Sequence, residues 1–263
     1  MQNYKIENGA VTFLDNRFYH DEADNVWVPS VTTILSAYPK DAHFFNWLKQ
    51  VGEEADAIRD EAGRRGSIVH KLTERYDAGE EISLLTNGGN LEYKLSEWAM
   101  FERYVDFRGK YPFEVLYSEL TCIEDEGKFA GTIDRVIEYE GETYLLDIKT
   151  SNAIHDHYWL QLAAYHELFN QFWGYYPEKA NRHLDGTVVA GPIQKRAILW
   201  LNAKTRTYGK NGAIQGPGWQ LIIREEAEHK NDLDLFNATM KLWQAQNKSI
   251  KPRQSTYRIK HKL

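Results

Sequence analysis

Apolar residues recur at helical spacing in some parts of the chain and form short, nearly continuous runs in others. Helical spacing predicts three N-terminal helices, a helix after the central strands and a final helix, over residues 31–49, 53–76, 91–108, 155–172 and 225–246. Gly63 and Gly66 are expected to break the second helix. Apolar runs predict an N-terminal hairpin over residues 10–14 and 18–20, and then three central strands. Two later strands are predicted over residues 196–201 and 219–223. This order of elements predicts a mixed α/β fold.

The most apolar of the central strands carries two charged residues. In Tyr144-Leu-Leu-Asp-Ile-Lys-Thr150, Asp147 and Lys149 share one face because strand side chains alternate. Residues 138–141 predict a hairpin turn that brings Asp134 beside Asp147. Burying acids and a base on a sheet face is costly unless they are paired or bind a metal. A metal site is therefore one interpretation, and a solvent-facing ion pair worth under ~1 kcal/mol is the other.

Two other segments could contribute to the same site. His70 and Glu74 are four residues apart and share one face of a predicted helix. Neutral imidazole is a common metal ligand, although a histidine with only a core or surface role is equally compatible with the pattern. Glu119 lies on the strand before Asp134, but imperfect alternation there does not fix its direction. A third acid on the same meander favours the metal-site interpretation.

Four short motifs of the chain resemble those of one nuclease family. Gln161 and Tyr165, four residues apart on the helix after the last central strand, form the last motif; without the others they would be read as ordinary packing residues. The RecB-like exonuclease branch of the PD-(D/E)XK nuclease superfamily carries Gly-x-x-x-His, Gly-x-x-Asp, Asp/Glu-x-Lys and Gln-x-x-x-Tyr. These motifs are matched in order by residues 66–70, 131–134, 147–149 and 161–165. The segment 28–35 is also similar to the start of phage nucleases and of the mitochondrial genome maintenance exonuclease.

The resemblance implies a fold and a division of the chain. The expected fold is α/β, with a PD-(D/E)XK nuclease core in which helices flank a mixed central β-sheet. One domain would occupy residues 1–263, with its core at about 66–223 and helical additions at about 28–110. A C-terminal helix and a basic tail over 248–263 would follow.

The resemblance also implies roles for the site residues. Mg²⁺ or Mn²⁺ would be held by His70, Asp134, Asp147 and the backbone carbonyl of Ile148. Glu119 could hold a second ion or its water shell.

Lys149 would orient or deprotonate the attacking water, or stabilise the developing negative charge. Gln161 and Tyr165 would contact the substrate phosphate or steady Lys149. Asp134, Asp147, Lys149 and Glu119 are therefore the predicted catalytic residues.

The activity implied is a metal-dependent DNA exonuclease in phage or bacterial recombination, repair or replication. Its partner would be DNA that is single-stranded or has free ends, and an annealing protein or a helicase is a further candidate. An endonuclease of the same superfamily and a non-catalytic nucleic-acid-binding protein on this fold remain alternatives. Acid–base chemistry on a sugar ranks last, because it leaves Lys149 without a role.

The composition limits which cofactors and which cellular locations are expected. Some RecB-like relatives hold an iron–sulfur cluster with four cysteines, but this chain has only Cys122, so neither a cluster nor an internal disulfide is expected. There is no apolar run near 18 residues and no signal-peptide pattern at Met1, which predicts a non-secreted protein without a membrane partner. A cytoplasmic location in a bacterium or phage-infected host is favoured over the mitochondrial matrix.

Charge is unevenly distributed along the chain. The net charge is −6, yet residues 248–263 hold six Lys or Arg and no acid. A second acid-free stretch, residues 186–224, contains Lys195, Arg196, Lys204, Arg206, Lys210 and Arg224. Since local basic surfaces set phosphate affinity, these stretches are candidate DNA contacts. A solvated tail and a solvated strand edge are the alternatives.

Overall fold

The fold is mixed α/β, with one five-stranded sheet between two layers of helices. A computed structural model describes residues 4–7, 10–13, 16–21, 25–175, 191–205, 207–208 and 214–248. The predicted fold class is confirmed, and the arrangement is consistent with the α/β core of nucleases. None of the helices in these ranges is long and apolar enough to cross a membrane.

The strands form a large mixed sheet and two small antiparallel ones. In chain order they are β1 Tyr4–Glu7, β2 Ala10–Phe13, β3 Asn16–Asp21, β4 Val26–Pro29, β5 Glu114–Ile123, β6 Ala130–Tyr139, β7 Glu142–Lys149, β8 Lys195–Trp200, β9 Thr207–Tyr208, β10 Ile214–Gln215 and β11 Gln220–Arg224. The large sheet has the order β11-β8-β7-β6-β5. Only its β7–β8 pair is parallel, and a helix connects those two strands.

Within the described ranges, six α-helices accompany the strands. They are α1 Val31–Ile34, α2 Ala42–Val51, α3 Ala55–Asp77, α4 Leu95–Lys110, α5 His157–Tyr175 and α6 Glu226–Gln246. Helices α1, α5 and α6 share a core with one face of the large sheet, where Leu145 is fully buried. Helices α3 and α4 pack on the other face, where Leu146 is fully buried. Because both faces of β7 are covered, the strand is buried from Thr143 to Ile148 and its middle residues, Tyr144 to Leu146, are apolar without alternation.

The predicted hairpin turn between β6 and β7 is confirmed. Tyr139 pairs with Glu142, which leaves Glu140 and Gly141 as a two-residue loop. Both loop residues have positive φ angles, 52° and 81°, as a type I′ turn requires. The Gly141 N–H donates to the Glu138 carboxylate at 2.7 Å. This turn sets the register that brings the predicted site residues of β6 and β7 together.

The predicted breaks at Gly63 and Gly66 are wrong, because α3 continues through both. Each glycine costs a helix about 1 kcal/mol, which is less than the packing that α3 gains. On its inner side Val69 and Leu72 are buried, and Arg64 forms ion pairs with Glu61 and with the buried Glu97 of α4.

The predicted continuous helix over 31–49 is also wrong. A 3-10 turn follows α1, and Tyr38, before Pro39, is extended with ψ 132°. Proline disfavours the helical conformation of the residue before it. Asp41 then caps α2 by accepting from the Phe44 N–H at 2.8 Å.

Two other predicted boundaries differ from the structure. The third helix starts at Leu95 rather than residue 91, and the N-terminal hairpin is part of a four-stranded sheet, β1-β2-β3-β4. This small sheet joins the large one through a bridge between Ser30 and Ala130. Buried Tyr19 and Val28 pack there with Ala130.

Candidate active site

Three carboxylates lie on three adjacent strands of the large sheet, two of them midway along β5 and β6 and the third near the end of β7. The β5–β6 register places Glu119 opposite Asp134. The β6–β7 ladder ends at Arg135 and Leu146, so Asp134 and Asp147 are the next residues on their strands. Glu119, whose direction the sequence could not fix, therefore belongs to the same row of acids.

The Asp134 carboxylate is held between the sheet and helix α3. The Ile148 backbone N–H donates to Asp134 Oδ2 at 2.9 Å. His70 Nδ1 lies 3.5 Å from the same oxygen. His70 is thus brought from α3 to the acids, as the sequence predicted.

Glu119 has an unusual backbone and an unsatisfied oxygen. Its φ angle is 49°, although it lies within β5 and is not glycine. Such left-handed residues are uncommon in strands and concentrate at functional sites. Its buried Oε1 accepts no hydrogen bond from the described residues, and Arg135 Nη1 lies 3.5 Å away. A buried carboxylate oxygen in this state is a ready ligand.

The donor chemistry fits a divalent cation. One ligand atom from each of His70, Glu119 and Asp134 lies within 4.8 Å of the others. Two carboxylates and an imidazole suit Mg²⁺ or Mn²⁺. Asp147, also a predicted ligand, is outside this triplet, and its Oδ2 lies 2.7 Å from Lys149 Nζ. The full ligand set, including the Ile148 carbonyl, stays a prediction.

Lys149 is held by side chains from β7 and α5. Besides Asp147, its Nζ donates to Gln161 Oε1 at 3.0 Å, and Gln161 Nε2 donates to the Tyr165 hydroxyl at 3.0 Å. The Tyr158 ring centroid lies 4.5 Å from the same Nζ. An ammonium has three donor protons, so one remains for a water or a phosphate oxygen. Gln161 and Tyr165 thus form a hydrogen-bonded chain with Lys149, and their role in steadying it or in contacting a phosphate stays a prediction.

Burial and like charge raise the pKa values of two acids. Burial, and then the neighbouring Asp134, raises the pKa of Glu119 to about 6. Burial also raises the pKa of Asp147 to about 6; Lys149 opposes this shift and Asp134 adds to it. Burial alone would lower the pKa of Lys149, but the Asp147 and Asp134 charges outweigh it and raise it. A bound cation would relieve this crowding of negative charge.

Two glycines allow close approaches that shape the site. A Cβ at Gly131 would lie 2.4 Å from Cε1 of the Tyr165 ring, so the ring can pack there only against glycine. A Cβ at Gly66 would lie 3.4 Å from Thr150 Oγ1, where α3 meets the end of β7. Each glycine thus allows a close contact with a segment that carries another of the four motifs.

One cleft of about 760 Å³ contains these groups, and we call it the acidic cleft. Every predicted site side chain lines it: His70, Glu119, Asp134, Asp147, Lys149, Gln161 and Tyr165. It also includes residues not predicted as ligands or catalytic groups: Arg17, Thr32, Ser67, Lys71, Glu74 and Thr132.

Part of this additional lining had a signal in the sequence. Ser67, His70, Lys71 and Glu74 follow the spacing of one helical face, so extending the face of His70 and Glu74 would have found the other two. Arg17 had no such signal, because only the contact between the two sheets brings it to the cleft.

The prediction of a basic surface over residues 186–224 is wrong for Arg196. This side chain is 1% exposed and pairs with Asp232 at 2.8 Å. Arg224 pairs with the same aspartate at 2.6 Å, and Lys195 pairs with Glu142 at 2.6 Å. These cations hold β8 and β11 to their neighbours. Lys204 is exposed, whereas Arg206, Lys210 and residues 249–263 of the basic tail lie outside the described residues.

Comparison with known proteins adds little to this geometry. No family model and no curated protein matches the chain. Among solved structures, a proposed exonuclease from Eubacterium rectale aligns over 73% of this chain and 69% of its own, at 15% identity and a TM-score of 0.37. The protein SSO0001 aligns over 67% of this chain and 85% of its own, at 13% identity and a TM-score of 0.27. Both similarities are too low to carry an argument, so the functional conclusion rests on the site.

Proposed function

We propose that the protein is a nuclease that depends on Mg²⁺ or Mn²⁺ and hydrolyses phosphodiester bonds at the ends of DNA strands. The observation that carries this proposal is the convergence of four separated segments on the acidic cleft. Their side chains combine oxygen and imidazole donors with one buried lysine. A structural ion pair would explain Asp147 and Lys149 alone. It would not explain why Glu119, Asp134 and His70 crowd beside them.

Phosphodiester hydrolysis needs charge neutralisation at phosphorus and an activated water. A divalent cation supplies both when bound, by polarising the phosphoryl oxygen and making water more acidic. His70, Glu119 and Asp134 would hold it, with Asp147 and the Ile148 carbonyl completing the set.

The other groups position the reactants. The Lys149 ammonium would donate a hydrogen bond that orients the attacking water, or one that stabilises a phosphate oxygen as negative charge develops. Asp147 and Gln161 fix the direction of that ammonium, and Tyr165 fixes Gln161. The row of acids keeps the cleft negative until a cation enters, which makes substrate binding dependent on the metal.

The preference for strand ends and for DNA rests on the four motifs in their order. The same resemblance supports a place in phage or bacterial DNA recombination, repair or replication. A single-strand annealing protein or a helicase would supply or receive the DNA end.

The test uses purified protein with labelled linear and circular DNA, each single- and double-stranded, with and without Mg²⁺ or Mn²⁺. Loss of linear DNA alone supports an exonuclease, and cutting of circles indicates an endonuclease. Binding without cleavage indicates a non-catalytic protein.

Variants of the site residues test whether any observed cleavage depends on the acidic cleft. Asp134→Asn and Lys149→Met should abolish cleavage while the protein stays folded, and exposed Asp60→Asn serves as the control. Wild-type rates in either site variant would refute the assignment.

A further inference from the structure

A second cavity of about 820 Å³ lies between α2 and the start of α5. Aromatic rings dominate its walls, and we call it the aromatic pocket, defined by Tyr38, Phe44, Trp47, His157 and Tyr158. Its volume is in the range of pockets that bind small ligands.

One wall of the aromatic pocket is a helix with no buried residue. All of α2 is at least partly exposed, including Phe44 at 36%. The rings of Phe44 and Trp47 have centroids 6.0 Å apart and face the pocket together. Phe44 is exposed and Trp47 is partly exposed, so both rings are accessible to a ligand in the pocket.

The opposite wall is also aromatic and carries little charge. The His157 and Tyr158 centroids are 4.7 Å apart, and Tyr38 lies 6.2 Å from His157. Burial, and then the nearby Lys40 and His155, lower the pKa of His157 to about 4. At neutral pH its ring is therefore an uncharged flat surface.

Cations border the pocket on the same side as α2. Lys40 Nζ lies 5.9 Å from the Phe44 centroid, and Arg59 lines the rim while paired with exposed Asp56 and Asp60. Of the acids at the pocket, Asp41 is engaged in capping α2, and Asp156 precedes α5.

The aromatic pocket adjoins the acidic cleft. Tyr158 lines the pocket, and its ring centroid lies 4.5 Å from Nζ of Lys149 in the cleft. A strand with one phosphate at Lys149 would therefore place the next nucleotides against these rings.

We propose that the aromatic pocket binds the unpaired bases of a single-stranded DNA end whose phosphate lies in the acidic cleft. Single-strand binding proteins combine stacking rings with cations along the backbone, as found here. Bases inside a duplex are already stacked and paired, so they cannot use these rings. This inference rests on the proposed function and names its substrate class.

The experiment measures binding separately from cleavage. Labelled oligothymidylate and a blunt hairpin DNA are titrated by fluorescence anisotropy with Ca²⁺ as the divalent cation, which takes oxygen ligands. Gel electrophoresis after each titration verifies that the DNA is intact. Phe44→Ala and Trp47→Ala are compared with Phe45→Ala, since Phe45 is 51% exposed, adjacent in sequence and outside the pocket lining. Thermal unfolding verifies that each variant is folded.

The pocket variants should weaken single-strand binding roughly 5- to 150-fold, as expected for the loss of one stacking contact. Hairpin binding, and all binding by the Phe45→Ala control, should be unchanged. Abasic oligonucleotides should bind the wild type more weakly than normal strands do, and this difference should be smaller for Phe44→Ala, which has lost one of the stacking rings. Lys40→Ala should lower the slope of log affinity against log salt by about 0.7.

Equal single-strand affinities for the wild type and both pocket variants would overturn the inference, as would a wild type that binds abasic and normal strands equally. Either of these results is expected if the aromatic pocket docks a protein instead of DNA bases. Ring-dependent binding without cleavage in Mg²⁺ or Mn²⁺ would refute the proposed nuclease activity and leave the pocket assignment standing. Cleavage together with binding that does not depend on the rings would refute the pocket assignment and leave the proposed nuclease activity standing.

Discussion

The contact between Gly131 and Tyr165 links two of the four motifs and can be tested by a Gly131→Ala substitution. The added Cβ would lie 2.4 Å from Tyr165 Cε1, whereas ordinary contacts begin at 3.4 Å, so the ring must move by about 1 Å. Overpacking of this kind costs about 1–3 kcal/mol. Loss of the Gln161–Tyr165 hydrogen bond adds about 1 kcal/mol.

The expected result is a loss of about 2–4 kcal/mol in the free energy of unfolding, measured by urea titration with circular dichroism. DNA cleavage should also fall, because Tyr165 no longer fixes Gln161 and Lys149. Gly109→Ala is the matched control, since nothing lies within 4 Å of its Cβ in α4. That variant should be neutral or slightly stabilising, because alanine favours a helix.

Second-site variants isolate the cause. In a Tyr165→Ala background the ring is absent, so adding Gly131→Ala should cost almost nothing. In a Tyr165→Phe background the ring remains, so Gly131→Ala should cost nearly as much as in the wild type. Additive costs in the Tyr165→Ala background would refute the steric account, as would a Gly131→Ala protein as stable as the Gly109→Ala control.

Three further predictions concern charge and helix packing. The folded state binds the Glu119 proton more tightly than the unfolded state, so its stabilising effect is full below about pH 4.5 and is lost as pH rises through about 6. Metal-free Glu119→Gln should therefore be about 1–2 kcal/mol more stable than the wild type at pH 7.5 and equal to it near pH 4, by urea titration. Gly63→Ala should stabilise α3 by about 0.5–1 kcal/mol and Gly66→Ala by less, by the same measurement, because only Gly66 meets β7. Arg196→Ala should cost roughly 3 kcal/mol in thermal unfolding, whereas exposed Arg59→Ala should cost under about 1 kcal/mol.

Each of these three predictions would be contradicted by a specific result. A pH-independent difference between Glu119→Gln and the wild type would show that crowding of charge does not set the stability of the site. Equal gains from the two helix glycines would contradict the close approach of α3 to β7. An Arg196→Ala protein as stable as Arg59→Ala would mean that the buried pair contributes nothing to holding β8.

Local sequence patterns predicted most strands of the large sheet and the final helix, whose predicted range of 225–246 differs from α6 by one residue, but not the break after α1 or the start of α4. The turn at Glu140 and Gly141 could be predicted because a two-residue loop depends on its own residues. The end of the first helical segment at Tyr38 also had a local cause, namely Pro39. The helical spacing of apolar residues across this position led to the prediction of a continuous helix. The continuity of α3 through Gly63 had no local cause in the sequence, because it depends on the packing of α3 against α4 and the sheet.

The sequence by itself indicated the motif residues of the candidate site, but not the rest of its lining. Spacing within each motif brings His70 to one helix face and Asp147 and Lys149 to one strand face, and these are properties of a helix or strand alone. The order of the motifs along the chain supplied the nuclease hypothesis.

Only the tertiary structure decided how these groups act on one another. It brought Glu119 together with His70 and Asp134 at a residue whose backbone angle no strand pattern predicts, and it paired Asp147 with Lys149. It also buried Arg196, which the sequence offered as a DNA contact, and it placed the aromatic pocket beside the cleft. Such contacts join residues far apart in the chain, so their geometry depends on how whole elements pack.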